Sequence, residues 1–139
     1  MKQVTEKLWI APQPTAADLA EARAMGIKRV VNNRSDGEEP VQPTAAESAA
    51  EAAELGLSYV HIPVVPGKLS AEKVQAFQKA LSEAEGPVLA HCKTGTRSLT
   101  LWTIGEVLDG RMTVADVNEL GSRMGVDLAG AKNWLKANI

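Results

Sequence analysis

The sequence predicts an α/β fold, a three-layer sandwich in which a mostly parallel sheet carries helices on both faces. Three observations carry this expectation. Short β-rich runs alternate with segments of helical pattern, the order that builds βαβ units rather than hairpins. Several helical segments open at Ser or Thr, and some close at Gly, so the connections between elements are short and well marked. Hydrophobic residues make up 45% and charged residues 23% of the 139 positions, ordinary values for a chain able to bury a core of its own. With no internal repeat and no low-complexity linker, residues 1–139 read as a single domain.

The elements follow in order. Leu8 to Ile10 is the first expected strand. Thr15 is a good N-cap for a helix through about Met25, and Gly26 stops it. The run IKRVVNN (27–33) is the next strand, and RSDGEEPVQP (34–43) is a turn-rich loop. The Ala/Glu-rich piece from Thr44 to Leu55 is a helix closed by Gly56. LSYVHIPV (57–64) is a strand, and Ser70 starts a helix to about Ala84 with Glu72 in its first turn. Gly86 and Pro87 introduce the strand PVLAH (87–91). SLTLWTIGEVL (98–108) is apolar on nearly every side, which predicts a central, buried helix. Two more helices are expected, near Val114 to Met124 and Leu128 to Ala137. Right-handed crossovers bring the C-terminal ends of the strands to one edge, where open α/β sheets bind ligands. The end of PVLAH is such a place.

Charge and composition exclude several classes. Fifteen Lys and Arg stand against 17 Asp and Glu, a formal net charge of −2, so no basic excess suggests nucleic acid. The apolar stretches are too short to span a membrane, and MKQVTEKLWI lacks the apolar segment of a secretory signal, so the expected compartment is the cytoplasm. One cysteine cannot form an internal disulfide. His61, His91 and Cys92 are the only His and Cys residues, so no metal or other cofactor is expected.

The stretch LAHCKTGTRS (89–98) concentrates the chemistry. A short loop between a strand end and a helix N-terminus turns several N–H groups inward, and Gly95 permits the positive φ that such a turn needs. The nest and the helix dipole together bind an anion and favour a thiolate, the nucleophilic form of cysteine, at the loop's start. Cys92 is therefore the expected nucleophile. A buried core thiol is the bland alternative, but it does not explain the residues that follow. Arg97 adds a planar fork for a tetrahedral oxyanion or a carboxylate. Ser98 is expected to donate its hydroxyl to the thiolate, while Lys93, Thr94, Gly95 and Thr96 line the anion site; for Lys93 a solvated role is equally open. His91 either braces the loop or is a buried structural histidine. Arg34 and Asp36 follow another strand on the same edge and are expected at the pocket, although Ser-Asp-Gly is also ordinary turn chemistry. Glu38 and Glu39 read as solvated, His61 as structural, and Trp9, Trp102 and Trp134 as packing residues.

HCKTGTRS resembles the active loop of the protein tyrosine phosphatase and rhodanese superfamilies. From LWIAPQPTAADL through RVVNNRSDGEEPVQPT to HCKTGTRS, the chain resembles the bacterial phosphatase-like domain named after beta-lactamase-hydrolase-like proteins. That resemblance implies a small dual-specificity-phosphatase-like fold. It also implies a domain found alone or fused to a metallo-β-lactamase-fold sulfur dioxygenase, with either phosphohydrolase or sulfurtransferase activity. Two departures separate these activities. Phosphatase loops place five residues between Cys and Arg, whereas Cys92 and Arg97 are separated by four, as in single-domain rhodaneses. The Asp that protonates the leaving alkoxide in dual-specificity enzymes follows the preceding strand, but YVHIPVVPGKLS holds no carboxylate before Glu72. A general acid contributes about 100- to 10,000-fold, whereas sulfite and acidic thiols leave without one.

The expected function is thus sulfur transfer. Cys92 takes the outer sulfur of a small anionic donor, thiosulfate or glutathione persulfide, and passes it to an external thiol acceptor. The lack of a second cysteine fits this route, because no internal thiol can resolve the persulfide. A phosphatase with a phosphocysteine intermediate, and Asp36 or water as the acid, is the alternative. A persulfide carrier or anion-binding module that docks on a sulfur dioxygenase is the third reading.

Overall fold

The alternation of side chains along short strands decides which layer each residue enters. A computed structural model describes residues Met1–Ile139. Its five strands are β1 (Lys2–Thr5), β2 (Leu8–Ala11), β3 (Arg29–Asn32), β4 (Ser58–His61) and β5 (Val88–His91), in the sheet order β1-β2-β5-β3-β4. The pairs β2–β5, β5–β3 and β3–β4 are parallel, and β1 pairs antiparallel with β2 at the edge. Six helices complete the chain: α1 (Ala16–Ala24), α2 (Ala45–Glu54), α3 (Ala71–Ser82), α4 (Thr96–Leu108), α5 (Val114–Met124) and α6 (Ala129–Asn138). No helix is long and apolar enough to cross a membrane.

The two faces of the sheet have separate cores. Val30 and Leu89 pack with Leu19, Ala22 and Ala52 of α1 and α2. Their neighbours Val31, Val88 and Ala90 face the other way, against Phe77, Leu99, Ile104, Val117 and Leu135 of α3 to α6. One step along a strand thus moves a side chain to the opposite layer. The three-layer sandwich expected from the sequence is present, with two helices on one face and four on the other. α4 is the buried helix of the larger layer: Leu99, Leu101, Thr103 and Ile104 are without exposure. Thr100 and Thr103 tolerate this because their hydroxyls donate to the carbonyls of Thr96 and Leu99.

Three boundaries differ from the sequence reading. β1 has no counterpart among the expected strands, because KQVT carries a single inward apolar residue, Val4, and no alternation marks it. β4 ends at His61 rather than Val64, although the amides of Ile62 and Val64 still donate to the Asn32 and Asn33 carbonyls. α4 begins at Thr96, two residues early, which puts Arg97 in the first helical turn instead of in a loop.

The sheet order seats β5 between β2 and β3, buried along its whole length. Whatever follows β5 therefore emerges at the middle of the carboxyl edge, flanked by the ends of β2 and β3.

Candidate active site

The loop after β5 is only four residues long, and both of its ends are fixed. Cys92 leaves the strand with its amide donating to the Ala11 carbonyl, 3.4 Å away at the end of β2. Gly95 is the N-cap of α4 with φ of 97°, a left-handed conformation that a side chain disfavours. That turn swings the Gly95 amide back toward the loop's start, where it donates to Cys92 Sγ at 3.0 Å. The amides of Lys93, Thr94, Arg97 and Ser98 donate to no acceptor in the chain. They lie in the loop and at the N-terminus of α4, where the sequence places an anion site, and leave free N–H groups that such a site would use. Cys92 lies at the floor, 1% exposed.

Arg97 is clamped from three sides. Its Nη1 donates to the carbonyls of Asn33 (3.0 Å) and Val64 (2.9 Å) and to Glu38 Oε2 (2.8 Å), and its Nη2 donates to Glu38 Oε1 (3.3 Å). Glu38 thus grips the end-on edge of the guanidinium. The side-on edge, Nε–H and the second Nη2–H, bonds nothing in the protein and forms a free planar fork. Arg34 holds Glu38 from behind: its Nε donates to Glu38 Oε1 at 3.0 Å, its Nη2 to Glu39 Oε1 at 2.7 Å and its Nη1 to Gln13 Oε1 at 2.9 Å. Burial alone would raise the Glu38 carboxyl. Hydrogen bonds from Arg97, the Ser35 amide and Arg34 outweigh burial and hold it at about 2. Glu38 is therefore a fixed negative charge at neutral pH, with no proton to give.

Several expectations need correction. Arg34 is 1% exposed and saturated by Glu38, Glu39 and Gln13, so it supports the site from behind instead of lining it. Asp36 is exposed and turned away, with its Oδ1 accepting from the Ala45 amide at the start of α2, 2.8 Å away. The Ser98 hydroxyl donates to Asn33 Oδ1 at 2.8 Å, so its one proton is spent there and not on the thiolate. Glu38, expected to be solvated, is the hub of the arginine pair. His91 is 1% exposed, its Nδ1 lacks a partner, and burial, the largest influence on it, lowers its pKa to about 4, so it is neutral near pH 7.

Beside the loop opens a cavity of about 600 Å³. Lys93, Thr94, Thr96 and Arg97 line it with Cys92, whereas Gly95, Ser98, Arg34, Asp36 and His91 are not part of the lining. Its other walls come from the segment after β4, with Val65, Pro66 and Leu69, and from α6, with Trp134. Trp134 also packs against the core, as expected, but its part in the cavity was missed. The Trp134 indole N–H is anchored on the Leu69 carbonyl at 3.0 Å, which ties the two walls together. No group of three His, Cys, Asp or Glu side chains is placed to hold a metal ion.

Residues 1–109 match the family described as the phosphatase-like domain of the beta-lactamase hydrolase-like protein. The chain is 44% identical over 134 residues to the Beta-lactamase hydrolase-like protein of Agrobacterium fabrum, covering 96% of this chain and 31% of that protein. Its identity to the Xylella fastidiosa protein of the same description is 41% over 133 residues, with the same coverage. The chain thus spans about a third of the length of these curated relatives. A crystal structure of a candidate phosphatase from Neisseria meningitidis superposes with a TM-score of 0.86 at 33% identity, over 96% of this chain and 94% of that one. P. aeruginosa TpbA in complex with pTyr shares the fold at a TM-score of 0.67 and 19% identity, over 97% and 88% of the two chains.

Proposed function

This chain belongs to the family of phosphatase-like domains of beta-lactamase hydrolase-like proteins, and from that premise we propose that it is a cysteine-dependent sulfurtransferase. The Cys92 thiolate attacks the outer sulfur of thiosulfate or of a low-molecular-weight persulfide. The new Cys92 S–S bond forms as the donor's S–S bond breaks, and sulfite or a thiolate leaves with the electron pair. The loop amides and the free edge of Arg97 hold the donor's anionic end and then the Cys92 persulfide. An external thiolate next attacks the terminal sulfur, and Cys92 departs as a thiolate.

One observation carries the choice of sulfur over phosphorus. The carboxylate nearest this chemistry, Glu38, is held ionised by two arginines, and the ionisable groups lining the cavity are Cys92, Lys93 and Arg97. Expelling an alkoxide from a phosphate ester needs a proton donor, whereas expelling sulfite or a stabilised thiolate does not.

The second reading, a phosphatase with a phosphocysteine intermediate, is favoured by the 33%-identical candidate phosphatase and by the shared fold. Its natural substrates would then carry leaving groups that need no protonation. A sulfur dioxygenase partner belongs to either reading as a proposal only, resting on relatives about three times as long as this chain.

Intact-protein mass spectrometry tests the choice. Reduced protein is incubated with thiosulfate, glutathione persulfide or an aryl phosphate, with Cys92→Ser as control. The expected result is a gain of one sulfur that glutathione removes and that Cys92→Ser lacks. Repeated transfer to glutathione marks an enzyme, and a single stoichiometric transfer marks a carrier. Cys92-dependent phosphate release without any sulfur adduct would reverse the assignment.

A further inference from the structure

Resting on that sulfur-transfer reading, we infer that the donor used at this site is an organic sulfane-sulfur anion with an aryl or branched-alkyl body, and that Val65, Leu69 and Trp134 select it. The first argument is size. At about 30 Å³ for a water-sized group, the five heavy atoms of thiosulfate need roughly 150 Å³, a quarter of the cavity of about 600 Å³. Most of the space beside Cys92 is therefore free for a body that thiosulfate lacks.

Charge and polarity give the second argument. At the loop end of the cavity the charges are Lys93 and Arg97, and no carboxylate joins them in the lining. A single negative charge fits there, on the amide nest and the free edge of Arg97. Away from the loop, the walls are formed by Val65, Pro66, Leu69, Trp134 and Ala137 with the amide side chains of Asn133 and Asn138, and none of these groups carries a charge. A peptide persulfide such as that of glutathione would bring two carboxylates and an ammonium to this end, and no ion-pairing group lines it to receive them. An apolar body matches it, with the polar end of the same molecule at Cys92.

The third argument is preorganisation. Val65 is 48% exposed although its neighbour Val64 is buried, so it offers apolar surface that the fold does not use. Trp134, in the lining of the same cavity, is fixed by the 3.0 Å bond of its indole N–H to the Leu69 carbonyl. A bound ring would enter a slot whose walls are already positioned, at little ordering cost.

Benzenethiosulfonate and methanethiosulfonate separate the body from the chemistry, because both release a sulfinate. In each case the Cys92 thiolate takes the terminal sulfur, the S–S bond of the donor breaks, and the sulfinate leaves with the bonding pair. The expected result is a kcat/KM for benzenethiosulfonate at least about tenfold above that for methanethiosulfonate, with glutathione as acceptor. Trp134→Ala should shrink that ratio toward one. Val65→Asn, at a half-exposed position where misfolding is not a concern, should shrink it too. Equal kcat/KM values for the two donors, with the Cys92 sulfur adduct formed normally, would overturn this inference and leave sulfur transfer standing. No sulfur adduct from either donor or from thiosulfate would remove both.

Discussion

Glu38→Gln is the sharpest probe of the clamp around Arg97. The substitution keeps the shape of the side chain and removes its charge, so Arg34 and Arg97 lose their shared counter-ion. The magnitude follows from the carboxyl itself. Its ordinary value is 4.5 and its value in the fold is about 2; at about 1.4 kcal/mol per pH unit, this interval corresponds to about 3 kcal/mol. Because the folded value lies below the unfolded one, the contribution is complete above pH 4.5 and fades as the pH falls through about 2. The variant should therefore be less stable than the parent by about 2 to 3 kcal/mol at pH 7, with the gap closing toward pH 2. Urea unfolding at a series of pH values measures this, since urea, unlike guanidinium, leaves the ion pairs unscreened. The kcat/KM for thiosulfate should fall in parallel at pH 7, because Arg97 loses the partner that aims its free edge. Equal stability of the two proteins at pH 7, or a gap that is the same at pH 7 and pH 2, would refute the argument.

Two other perturbations test neighbouring parts of the site. Burial is the main cause of the His91 shift from 6.5 to about 4, so between these values the unfolded chain binds a proton that the folded chain refuses; stability should fall by up to about 3 kcal/mol as the pH drops from 6.5 to 4, and His91→Asn should flatten that part of the urea-derived profile. Gly95→Ala forces a side chain into φ of 97°, at a cost of about 1–2 kcal/mol, and disturbs the amide that donates to Cys92 Sγ; alkylation of Cys92 by iodoacetamide at pH 7 should slow, and an unchanged rate would show that this amide does not activate the thiol.

What the sequence made legible was local in the chain. The run from Val88 to Ser98 encodes a buried strand, a left-handed glycine and a helix start within eleven positions, and the nest follows from that order alone. The capping boxes at Thr15 and Thr44 likewise announce α1 and α2 within four residues each. The missed features are contacts between distant positions. Glu38 lies 59 positions from Arg97, and a Glu beside Gly and Pro in a turn-rich loop looks like any solvated carboxylate until the fold brings it there. Trp134 and Leu69 are 65 positions apart, as are Ser98 and Asn33, so neither the apolar slot nor the true acceptor of the Ser98 hydroxyl has a local signature. Strand direction brings Arg34 and Asp36 to the carboxyl edge but does not set their rotamers. Strand direction fixes the edge at which a residue emerges, and only packing decides whether it points into the cavity, as Arg97 does, or away from it, as Asp36 does.

The clamp on Arg97 and the lack of a proton donor are two consequences of one arrangement. A glutamate that orients an arginine end-on must be ionised to do so, and here a second arginine behind it deepens that ionisation. The stronger the orienting pair, the less able its carboxylate is to act as an acid. In a site that cleaves alkyl phosphate esters this would call for a separate acid, and Asp36, the candidate the sequence offers, is committed to the start of α2. In a site that moves sulfur it costs nothing, because both departing groups, first sulfite or a sulfinate and then the Cys92 thiolate, leave as anions. The remaining demand is a rigid, partly neutralised cradle. Glu38 and Glu39 together offset Arg97 and Arg34, which leaves Lys93 as the uncompensated cation of the cavity, so on the sulfur-transfer reading a persulfide anion bearing one charge would meet aligned N–H groups and a single net positive charge.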